Sequence, residues 1–365
     1  MFNLVQSSIY NLSQQKNLSL KTAETTFDDI FASDKKSYFI TALLMGLMSK
    51  GITIDELIGF FNSQTKQIPS IKTSIKAEDI TENSGTGGDS LKTFNISTTA
   101  SIILAAEGIF IPKQAYFAVT GIGGSGDLFR EFGIDVFKTS NPTIIKNTLE
   151  KIRIVPYVAN FLSNPKKIPG LVNFLNKRAE IGLNFITPFH LAANLLAPIR
   201  IKKRVYGVYD EHLLKLITQL LQRVGYERAL IFHGVDGLDE VSNIGPTLIM
   251  EFNQNKVCQY RLNPKDFGIK KSKSEDIKAH SREGNVFDFL RVLYGKDRGA
   301  KRDIVLANAS VSFYIMDKVK NFKDGVSMAA ESIDSGKTRA KLAQLVGEVG
   351  DLKRLRTWEI KSRVV

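Results

Sequence analysis

The sequence predicts an α/β protein with a small all-helical N-terminal domain and a large α/β domain built on a mainly parallel central sheet. Three observations support this fold class. Residues 1–75 show helical periodicity without a convincing strand, short apolar runs alternate with helix-length segments after Asp79, and helices return over the last hundred residues, ending near Val346. Strands that alternate with helices are typical of parallel sheets. We therefore place the domains at 1–75 and 76–365.

The N-terminal part contains two clear helix signals. Apolar residues recur through 38–48, and Thr53 opens a run that predicts a capped helix start. The stretch 69–76 is predicted to be a linker. Residues 165–200 are also predicted to be helical, and we expect them to pack on the N-terminal helices rather than on the sheet.

The remaining elements follow from short apolar runs and the segments between them. Predicted strands are residues 109–111, 134–137, 154–158, 205–208 and 229–232, with helices at 142–152 and 211–224. Residues 247–252 and 257–262 are predicted to form a hairpin that extends the sheet. No internal repeat is present in the sequence.

Composition narrows the class of protein. The 365 residues are 43% apolar, which is enough for a sizeable core, and the net charge is +13, which favours phosphate-bearing partners. The basic clusters 201–204, 270–273 and 296–302 lack interleaved aromatic residues, so we interpret them as solvated surface and consider nucleic-acid binding unfavoured. One cysteine, Cys258, cannot form an intrachain disulfide.

The chain is expected to be cytoplasmic and not membrane-bound. Its first residues lack the basic stretch and apolar core of a signal peptide. The longest apolar stretches are shorter than the roughly 18–20 residues that a membrane-spanning helix needs.

A glycine-rich segment, 82–90, predicts a phosphate site. Gly85, Gly87 and Gly88 can adopt backbone angles closed to other residues, so their amides can converge on an anion. Asn95, Ser97 and Thr98 then open an apolar helix whose exposed amides favour negative charge. An ordinary tight turn with a helix cap explains the same residues equally well.

Two further segments carry chemical groups. Asp239 and Glu240 follow a predicted strand, at the sheet edge where open α/β proteins bind ligands, and adjacent carboxylates suit Mg²⁺ shared with substrate phosphates. A solvated surface pair is the alternative interpretation. Residues 120–127 form a second glycine-dense loop before a predicted helix, which is either a structural turn or a phosphate cradle.

Taken together, these motifs resemble the anthranilate phosphoribosyltransferases of glycosyltransferase family 3, which share an architecture with pyrimidine nucleoside phosphorylases. The likeness extends over nearly the whole chain. It includes the runs GTGGDS from Gly85, TFNIST from Thr93, RAEIG from Arg178, VYGVYD from Val205 and HGVDGLDE from His233. The resemblance implies a helical domain that usually forms the homodimer, with the site in the cleft beside the α/β domain.

The resemblance also implies a donor, a cofactor and residue roles. The donor would be 5-phosphoribosyl 1-diphosphate and the cofactor Mg²⁺, with metal ligands Ser97, Asp239 and Glu240. The donor-binding residues implied are Gly85, Thr86, Gly87, Gly88, Asp89, Ser90, Thr93, Asn95, Ser97, Thr98, Lys113 and Ser125. No nucleophile or general base is implied, because leaving-group stabilisation and positioning of the amine dominate such chemistry.

The acceptor half departs from the family pattern. Arg178 matches the arginine that pairs with the anthranilate carboxylate, although an ion pair on a helix surface is an equal interpretation. Gln114 and Tyr116 stand where the family has His and Asn, and the second glycine loop lacks the family lysine. We assign Arg178, Gln114 and Tyr116 to the acceptor site and expect weaker anthranilate binding than is usual in the family.

The predicted function is transfer of phosphoribose to the amine of anthranilate, in tryptophan biosynthesis. Three alternatives remain open at this stage. The same donor chemistry could serve another aromatic or base acceptor, a catalytically silent relative could bind nucleic acid, or the chain could be a nucleoside phosphorylase. The GTGGDS run and the carboxylate pair argue against the silent relative, and the second glycine loop lacks the phosphorylase signature.

Overall fold

The computed structural model describes residues 3–34, 37–88, 91–117, 123–178, 180, 182–183 and 185–365. The helices are α1 (Leu4–Ser13), α2 (Leu20–Phe31), α3 (Ser37–Lys50), α4 (Ile54–Thr65), α5 (Ile96–Ala106), α6 (Ser125–Glu131), α7 (Val136–Thr139), α8 (Pro142–Ile152), α9 (Pro169–Lys177), α10 (Pro188–Ala193), α11 (Leu213–Arg223), α12 (Ser274–Ile277), α13 (Arg282–Leu293), α14 (Ala300–Ile315), α15 (Phe322–Asp334), α16 (Lys337–Val349) and α17 (Leu352–Lys361). The strands are β1 (Thr81–Gly85), β2 (Ile111–Gln114), β3 (Ile154–Tyr157), β4 (Lys203–Gly207), β5 (Arg228–Gly234), β6 (Thr247–Asn253) and β7 (Lys256–Leu262).

The central sheet has the order β1-β4-β5-β6-β7. Strands β1, β4 and β5 are parallel, while β6 and β7 form the antiparallel hairpin predicted from the sequence. Strands β2 and β3 form a separate parallel pair. The mainly parallel α/β fold class is therefore confirmed, and the carboxyl ends of β1, β4 and β5 meet at one edge of the sheet.

The N-terminal helices begin where the sequence places caps. Thr53 Oγ1 accepts the Glu56 amide at 3.4 Å, and Glu56 Oε2 in turn accepts the Thr53 amide at 2.8 Å, which forms a capping box. Aromatic packing then joins these helices to α9 and α10. The ring centroids of Phe27 and Phe60 are 4.3 Å apart, and Phe189 of α10 lies 6.0 Å from Phe60 and 5.9 Å from Phe174 of α9.

Two buried clusters lie on opposite sides of the sheet. One contains the apolar side chains of α5, α13, α14 and α16, including Val205 and Leu230. The other contains those of α1 to α4 and α9 to α11, including Tyr206 and Ile231. Because Val205 and Tyr206 are neighbours on β4, the strand alternates between the two clusters.

Several predicted elements are wrong or shifted. Residues 134–137 are not a strand: Ile134 enters the core, and Asp135 accepts the amides of Phe137 and Lys138, so it caps α7. The strand predicted at 109–111 is displaced to β2. Helical structure does not end near Val346, since α16 reaches Val349 and α17 follows it.

The strand β1 was missed by the sequence analysis because its residues are polar. Its first three, Thr81, Glu82 and Asn83, are nevertheless buried, and each forms a polar contact inside the protein. Among the described residues, no helix combines the length and apolar character that a membrane crossing requires.

Candidate active site

A cavity of about 1070 Å³ lies at the carboxyl edge of the parallel strands. Most of its lining comes from the turn between β1 and α5, the end of β2 with the loop after it, the segment after β3, the loop after β5, and the α9–α10 region. It therefore contacts both the sheet and the helices that pack on the N-terminal part. One end is polar and contains the glycine-rich turn, the start of α5, Lys113, Asp239 and Glu240; we call it the donor end. The other is largely apolar and contains the α9–α10 region with Gln114 and Tyr116; we call it the acceptor end.

The glycine-rich turn forms the donor end. Gly85 ends β1 opposite Gly207 of β4, and a Cβ on Gly85 would overlap the Asp239 carboxylate. Gly87 and Gly88 have φ of +68° and +84°, a left-handed conformation that favours glycine. The Gly87 amide donates to Asp239 Oδ2 at 2.7 Å. The turn thus directs an amide at a carboxylate of the protein, and its phosphate-binding role stays a prediction. Asp89 and Ser90 lie outside the described residues.

The start of α5 faces the same space, with Thr93, Asn95, Ser97 and Thr98 all lining the cavity. The Ser97 amide donates to Glu240 Oε1 at 3.2 Å. Asn95 does not cap the helix with its side chain. Its Oδ1 accepts from Asn285 Nδ2 at 2.8 Å and its Nδ2 donates to the Gly123 carbonyl at 3.3 Å, so Asn95 connects the start of α5 to α13 and to the second glycine loop.

The carboxylate pair lines the cavity and is not a solvated surface pair. Asp239 is only 8% exposed, and its burial raises the pKa of its carboxyl group, an effect that the Gly87 amide and Lys113 oppose. Glu240 is half-buried beside it. The loop after β5 therefore places Glu240 at the first turn of α5, where the helix amides favour an anion, and Asp239 at the glycine-rich turn before it.

These residues fit a hard divalent cation. Asp239, Glu240 and the Ser97 hydroxyl offer oxygen atoms as metal ligands at one wall of the cavity, beside the amides of the glycine-rich turn. Within the described residues no group of three or more His, Cys, Asp or Glu side chains forms a metal cage. Mg²⁺ does not require one, since it commonly binds one or two carboxylates together with water and substrate phosphates.

Lys113 extends from β2 under the donor end. It is almost fully buried, and desolvation lowers its pKa to about 8 although Glu82 and Glu240 favour the charged form. Its Nζ donates to the Asn83 carbonyl and lies 3.4 Å from Ser97 Oγ. The lysine thus contacts Ser97, and its place near the donor stays a prediction.

A buried polar network beneath the turn was not predicted. Arg204, which we had assigned to a solvated basic cluster, is fully buried and pairs with Glu82 at 2.9 Å. Its Nη2 also donates to the Asn194 carbonyl at 2.6 Å, and Asn194 Nδ2 donates to the carbonyls of Gly85 and Thr86 at 3.1 and 3.3 Å. This network fixes the glycine-rich turn from below.

A second arginine from the predicted surface clusters is also buried. Arg302 donates both terminal nitrogens to Asp334 at 2.8 Å each, and it is only 6% exposed. The third cluster behaves as expected: Lys270, Lys271 and Lys273 are exposed. The basic residues therefore include structural ion pairs as well as solvated surface.

Arg178 is at the acceptor end, directly after α9. Its Nε donates to the Leu183 carbonyl at 3.0 Å, and desolvation lowers the pKa of its guanidinium. The helix-surface ion pair considered from the sequence is not found, since no acidic partner for Arg178 is present among the described residues. Apolar side chains line the same region of the cavity, including Val172, Phe185 and Phe189.

Gln114 and Tyr116 also line the cavity; their donor groups are engaged, whereas the buried Gln114 Oε1 has no hydrogen-bond partner among the described residues. Gln114 Nε2 donates to the Ala193 carbonyl at 2.8 Å and also contacts the Tyr116 hydroxyl, which itself donates to the Ala193 carbonyl at 2.9 Å. The pair therefore fastens the end of β2 to α10. The Tyr116 amide donates to Ser125 Oγ at 3.2 Å, which positions the second glycine loop; its residues 120–122 lie outside the described residues.

The fold is that of an α/β protein in which one cavity brings together a glycine-rich turn and a pair of carboxylates. Comparisons with known proteins agree. The family described as glycosyl transferase family, a/b domain, matches residues 77–339. Anthranilate phosphoribosyltransferase of Thermoanaerobacter sp. (strain X514) is 33% identical over 94% of this chain and 98% of its own length. The enzyme of Methanococcoides burtonii is also 33% identical, over 90% of each chain.

Solved structures share the fold. Anthranilate phosphoribosyltransferase from Thermus thermophilus has a TM-score of 0.79 at 24% identity, over 94% of this chain and 99% of that one. The Saccharomyces cerevisiae enzyme in complex with PRPP and Mg has a TM-score of 0.83 at 24% identity, over 94% and 97% of the two chains. The present chain belongs to this glycosyl transferase family, among the anthranilate phosphoribosyltransferases, as its motifs predict.

Proposed function

We propose that this chain transfers the phosphoribosyl group of 5-phosphoribosyl 1-diphosphate to the amine of anthranilate, a step of tryptophan biosynthesis. The observation that carries the proposal is the shape of one cavity. Its donor end presents amides, Lys113 and two carboxylates, and its acceptor end presents an arginine among apolar side chains. A phosphorylated sugar and an aromatic acid fit these two ends and would meet between them.

We assign the donor end to the diphosphate and the ribose phosphate. The contacts support roles for Gly85, Thr86, Gly87, Gly88, Thr93, Asn95, Ser97, Thr98, Lys113 and Ser125, all of which line the cavity. Asp89 and Ser90 keep their proposed donor role from the sequence. Bound Mg²⁺ would be held by Asp239, Glu240 and Ser97 and would supply neutralising charge for the diphosphate.

The reaction requires positioning more than a protein nucleophile. The amine nitrogen forms a bond to the anomeric carbon of the ribose, the bond from that carbon to diphosphate breaks, and diphosphate leaves with the electron pair. The nitrogen then loses a proton. In this chain, Lys113 and the amides of the glycine-rich turn stabilise negative charge on the leaving group, and the apolar wall around Arg178 orients the ring of the acceptor.

At the acceptor end we propose that Arg178 binds the carboxylate of anthranilate. A desolvated guanidinium without an acidic partner among the described residues is suited to a carboxylate ligand. Gln114 and Tyr116 remain acceptor-site residues in the proposal, but through their hold on α10 at the Ala193 carbonyl.

Enzyme assay tests the proposal directly. Loss of anthranilate fluorescence should require both 5-phosphoribosyl 1-diphosphate and Mg²⁺, and titration calorimetry should show donor binding only when Mg²⁺ is present. Complementation of a tryptophan auxotroph that lacks this transferase then tests the acceptor in cells. Donor binding without anthranilate turnover would indicate another aromatic or base acceptor.

A catalytically silent nucleic-acid binder predicts a different result. It would bind mixed DNA or RNA tightly at physiological salt and would show no donor binding. We expect only weak binding that is lost as the salt concentration rises. The basic clusters have no interleaved aromatic residues on which bases could stack, so binding would come from counterion release alone. A fluorescence anisotropy titration over a salt series distinguishes the two.

We further propose a cytoplasmic homodimer with domains at 1–75 and 76–365. Apolar side chains on α1 and α3 support an interface on the helical part: Leu4, Tyr10, Tyr38 and Met48 are at least 40% exposed. Sedimentation equilibrium should give twice the chain mass, and Tyr38→Lys together with Met48→Lys should give the monomer.

A further inference from the structure

His190 lies at the acceptor end, in the third position of α10, and its ring is only 8% exposed. Its Nδ1 accepts the Thr187 backbone amide at 3.0 Å. An atom that accepts an N–H must carry a lone pair, so Nδ1 is unprotonated. In a neutral imidazole the proton is then on Nε2, which becomes a hydrogen-bond donor.

The ring is neutral at physiological pH. Burial and the positive charge of Arg178 lower the pKa of His190 to about 4. A neutral donor beside a guanidinium adds hydrogen-bonding capacity to this end of the cavity without adding a second repelling cation.

The Nε2–H of His190 has no partner among the described residues, and Nε2 itself is buried. A buried donor without an acceptor is unfavourable, so such groups in native proteins are usually satisfied by a ligand, a water molecule or a protein atom. Both His190 and Arg178 line the cavity. A carboxylate offers two oxygens and several lone pairs, enough for the guanidinium and the imidazole together.

We propose that His190 is a specificity-determining residue whose Nε2–H donates to the carboxylate of the acceptor, beside Arg178. The inference rests on the proposed function and extends it. The polar atoms of Gln114 and Tyr116 that could donate are held by the Ala193 carbonyl, so the carboxylate site of this chain is built on the α9–α10 side of the cavity. His190 then distinguishes an aromatic acid from its neutral amide.

Two substitutions separate the two ring nitrogens. His190→Asn retains an oxygen near the Nδ1 position to accept the Thr187 amide but has no donor at the Nε2 position. His190→Gln places an amide donor near the Nε2 position but loses the acceptor for Thr187. The first variant removes the proposed ligand contact and keeps the helix cap, and the second does the reverse.

The expected results are opposite for the two variants. His190→Asn should raise the KM for anthranilate about 10-fold, the scale of a hydrogen bond to a charged group, with kcat and the donor KM within about twofold. It should also lower the preference for anthranilate over 2-aminobenzamide by about the same factor. His190→Gln should stay within about threefold of the parent protein in KM. An Asn variant with the parent KM, or equal losses in both variants, overturns the proposal.

A measurement on the unsubstituted protein makes the test independent of variant folding. The chain has four histidines, so ¹⁵N-histidine spectra are simple to assign. We expect His190 to show a protonated Nε2 whose signal shifts on addition of anthranilate or benzoate and not of 2-aminobenzamide. A proton on Nδ1, or no shift with either acid, overturns the proposal. Absence of turnover in a protein whose His190 signal responds to benzoate would instead reject only the proposed reaction.

Discussion

The two ends of the cavity are built differently. At the donor end the protein already satisfies its own polar groups: the Gly87 amide bonds to Asp239, the Ser97 amide to Glu240, and Lys113 to the Asn83 carbonyl. At the acceptor end, Arg178 has no acidic partner and the His190 Nε2–H has no acceptor among the described residues. We therefore infer that the donor end is preorganised, and we propose that a ligand completes the acceptor end.

This difference predicts how each end responds to substitution. A change at the donor end alters contacts that hold the backbone and the carboxylates together, so kcat and donor binding should fall. A change at the acceptor end removes a contact made only with the ligand, so the acceptor KM should rise while the fold is unaffected.

Removing both carboxylate charges should have the largest effect. Asp239→Asn with Glu240→Gln retains oxygens that can accept the Gly87 and Ser97 amides but loses the negative charge that binds Mg²⁺. We expect kcat/KM to fall roughly 1000-fold or more, because metal-borne charge stabilisation is worth several kcal/mol. Steady-state assays and calorimetry with donor and Mg²⁺ measure the loss.

The amide pair was chosen over alanine because Asp239 is buried and hydrogen-bonded. Its side chain is only 8% exposed, and its Oδ2 accepts the Gly87 amide at 2.7 Å. Removing an acceptor from a buried amide costs about 1–3 kcal/mol. A double amide variant that retains full activity would mean that the carboxylates do not bind the metal.

Elements that follow from local sequence patterns were predicted correctly, whereas an element that depends on buried pairs of polar residues was missed. The Thr53 cap and the β6–β7 hairpin follow from local sequence and are confirmed. Strand β1 was missed because Glu82 and its neighbours form no apolar run. The burial of this carboxylate is made tolerable by Arg204 and by the Gln114 amide, both of which are distant in sequence.

The candidate site shows the same division. The glycine-rich turn could be predicted because positive φ selects glycine at Gly87 and Gly88. The role of His190 could not be predicted, because a single histidine before an apolar run indicates neither its tautomer nor its burial. In the sequence, the run of polar residues in β1 is the feature that could have indicated the buried Arg204 network.

Gly85→Ala tests the preorganisation of the donor end by adding one methyl group, without changing any charge or polar group. The added Cβ would overlap Asp239 Oδ2, so the carboxylate must move and lose its bond to Gly87. We expect kcat/KM to fall about 100-fold, since a displacement of about 1 Å at such a site can cost that much.

Gly108→Ala is the matched control for Gly85→Ala. Gly108 has φ of +88° and nothing within 4 Å of an added Cβ, so the change should cost stability only, about 1 kcal/mol, and leave kcat/KM unaltered. Equal activity losses in both variants would show that the effect at Gly85 is general destabilisation and not displacement of the carboxylate.

Arg178→Gln tests the acceptor end. The variant keeps a polar side chain of similar reach but loses the charge, so we expect the anthranilate KM to rise about 30-fold while the donor KM changes less than about twofold. That factor corresponds to roughly 2 kcal/mol, the lower end of the range for breaking a desolvated charge pair, because Arg178 is only half-buried. A rise in donor KM of the same size would place Arg178 at the donor end instead.

The smallest effect on catalysis should come from restoring the family residues with Gln114→His and Tyr116→Asn. Both native side chains donate to the Ala193 carbonyl, and losing these bonds should lower the unfolding free energy by about 2 kcal/mol, or about 1 kcal/mol each. Because we place the carboxylate on Arg178 and His190, we expect anthranilate kcat/KM to fall about threefold through loosening of α10. Denaturant unfolding and steady-state assays report the two quantities separately. Improved turnover of anthranilate would show instead that positions 114 and 116 contact the acceptor. The acceptor site would then be a weakened form of the family's site and not a new site on α10.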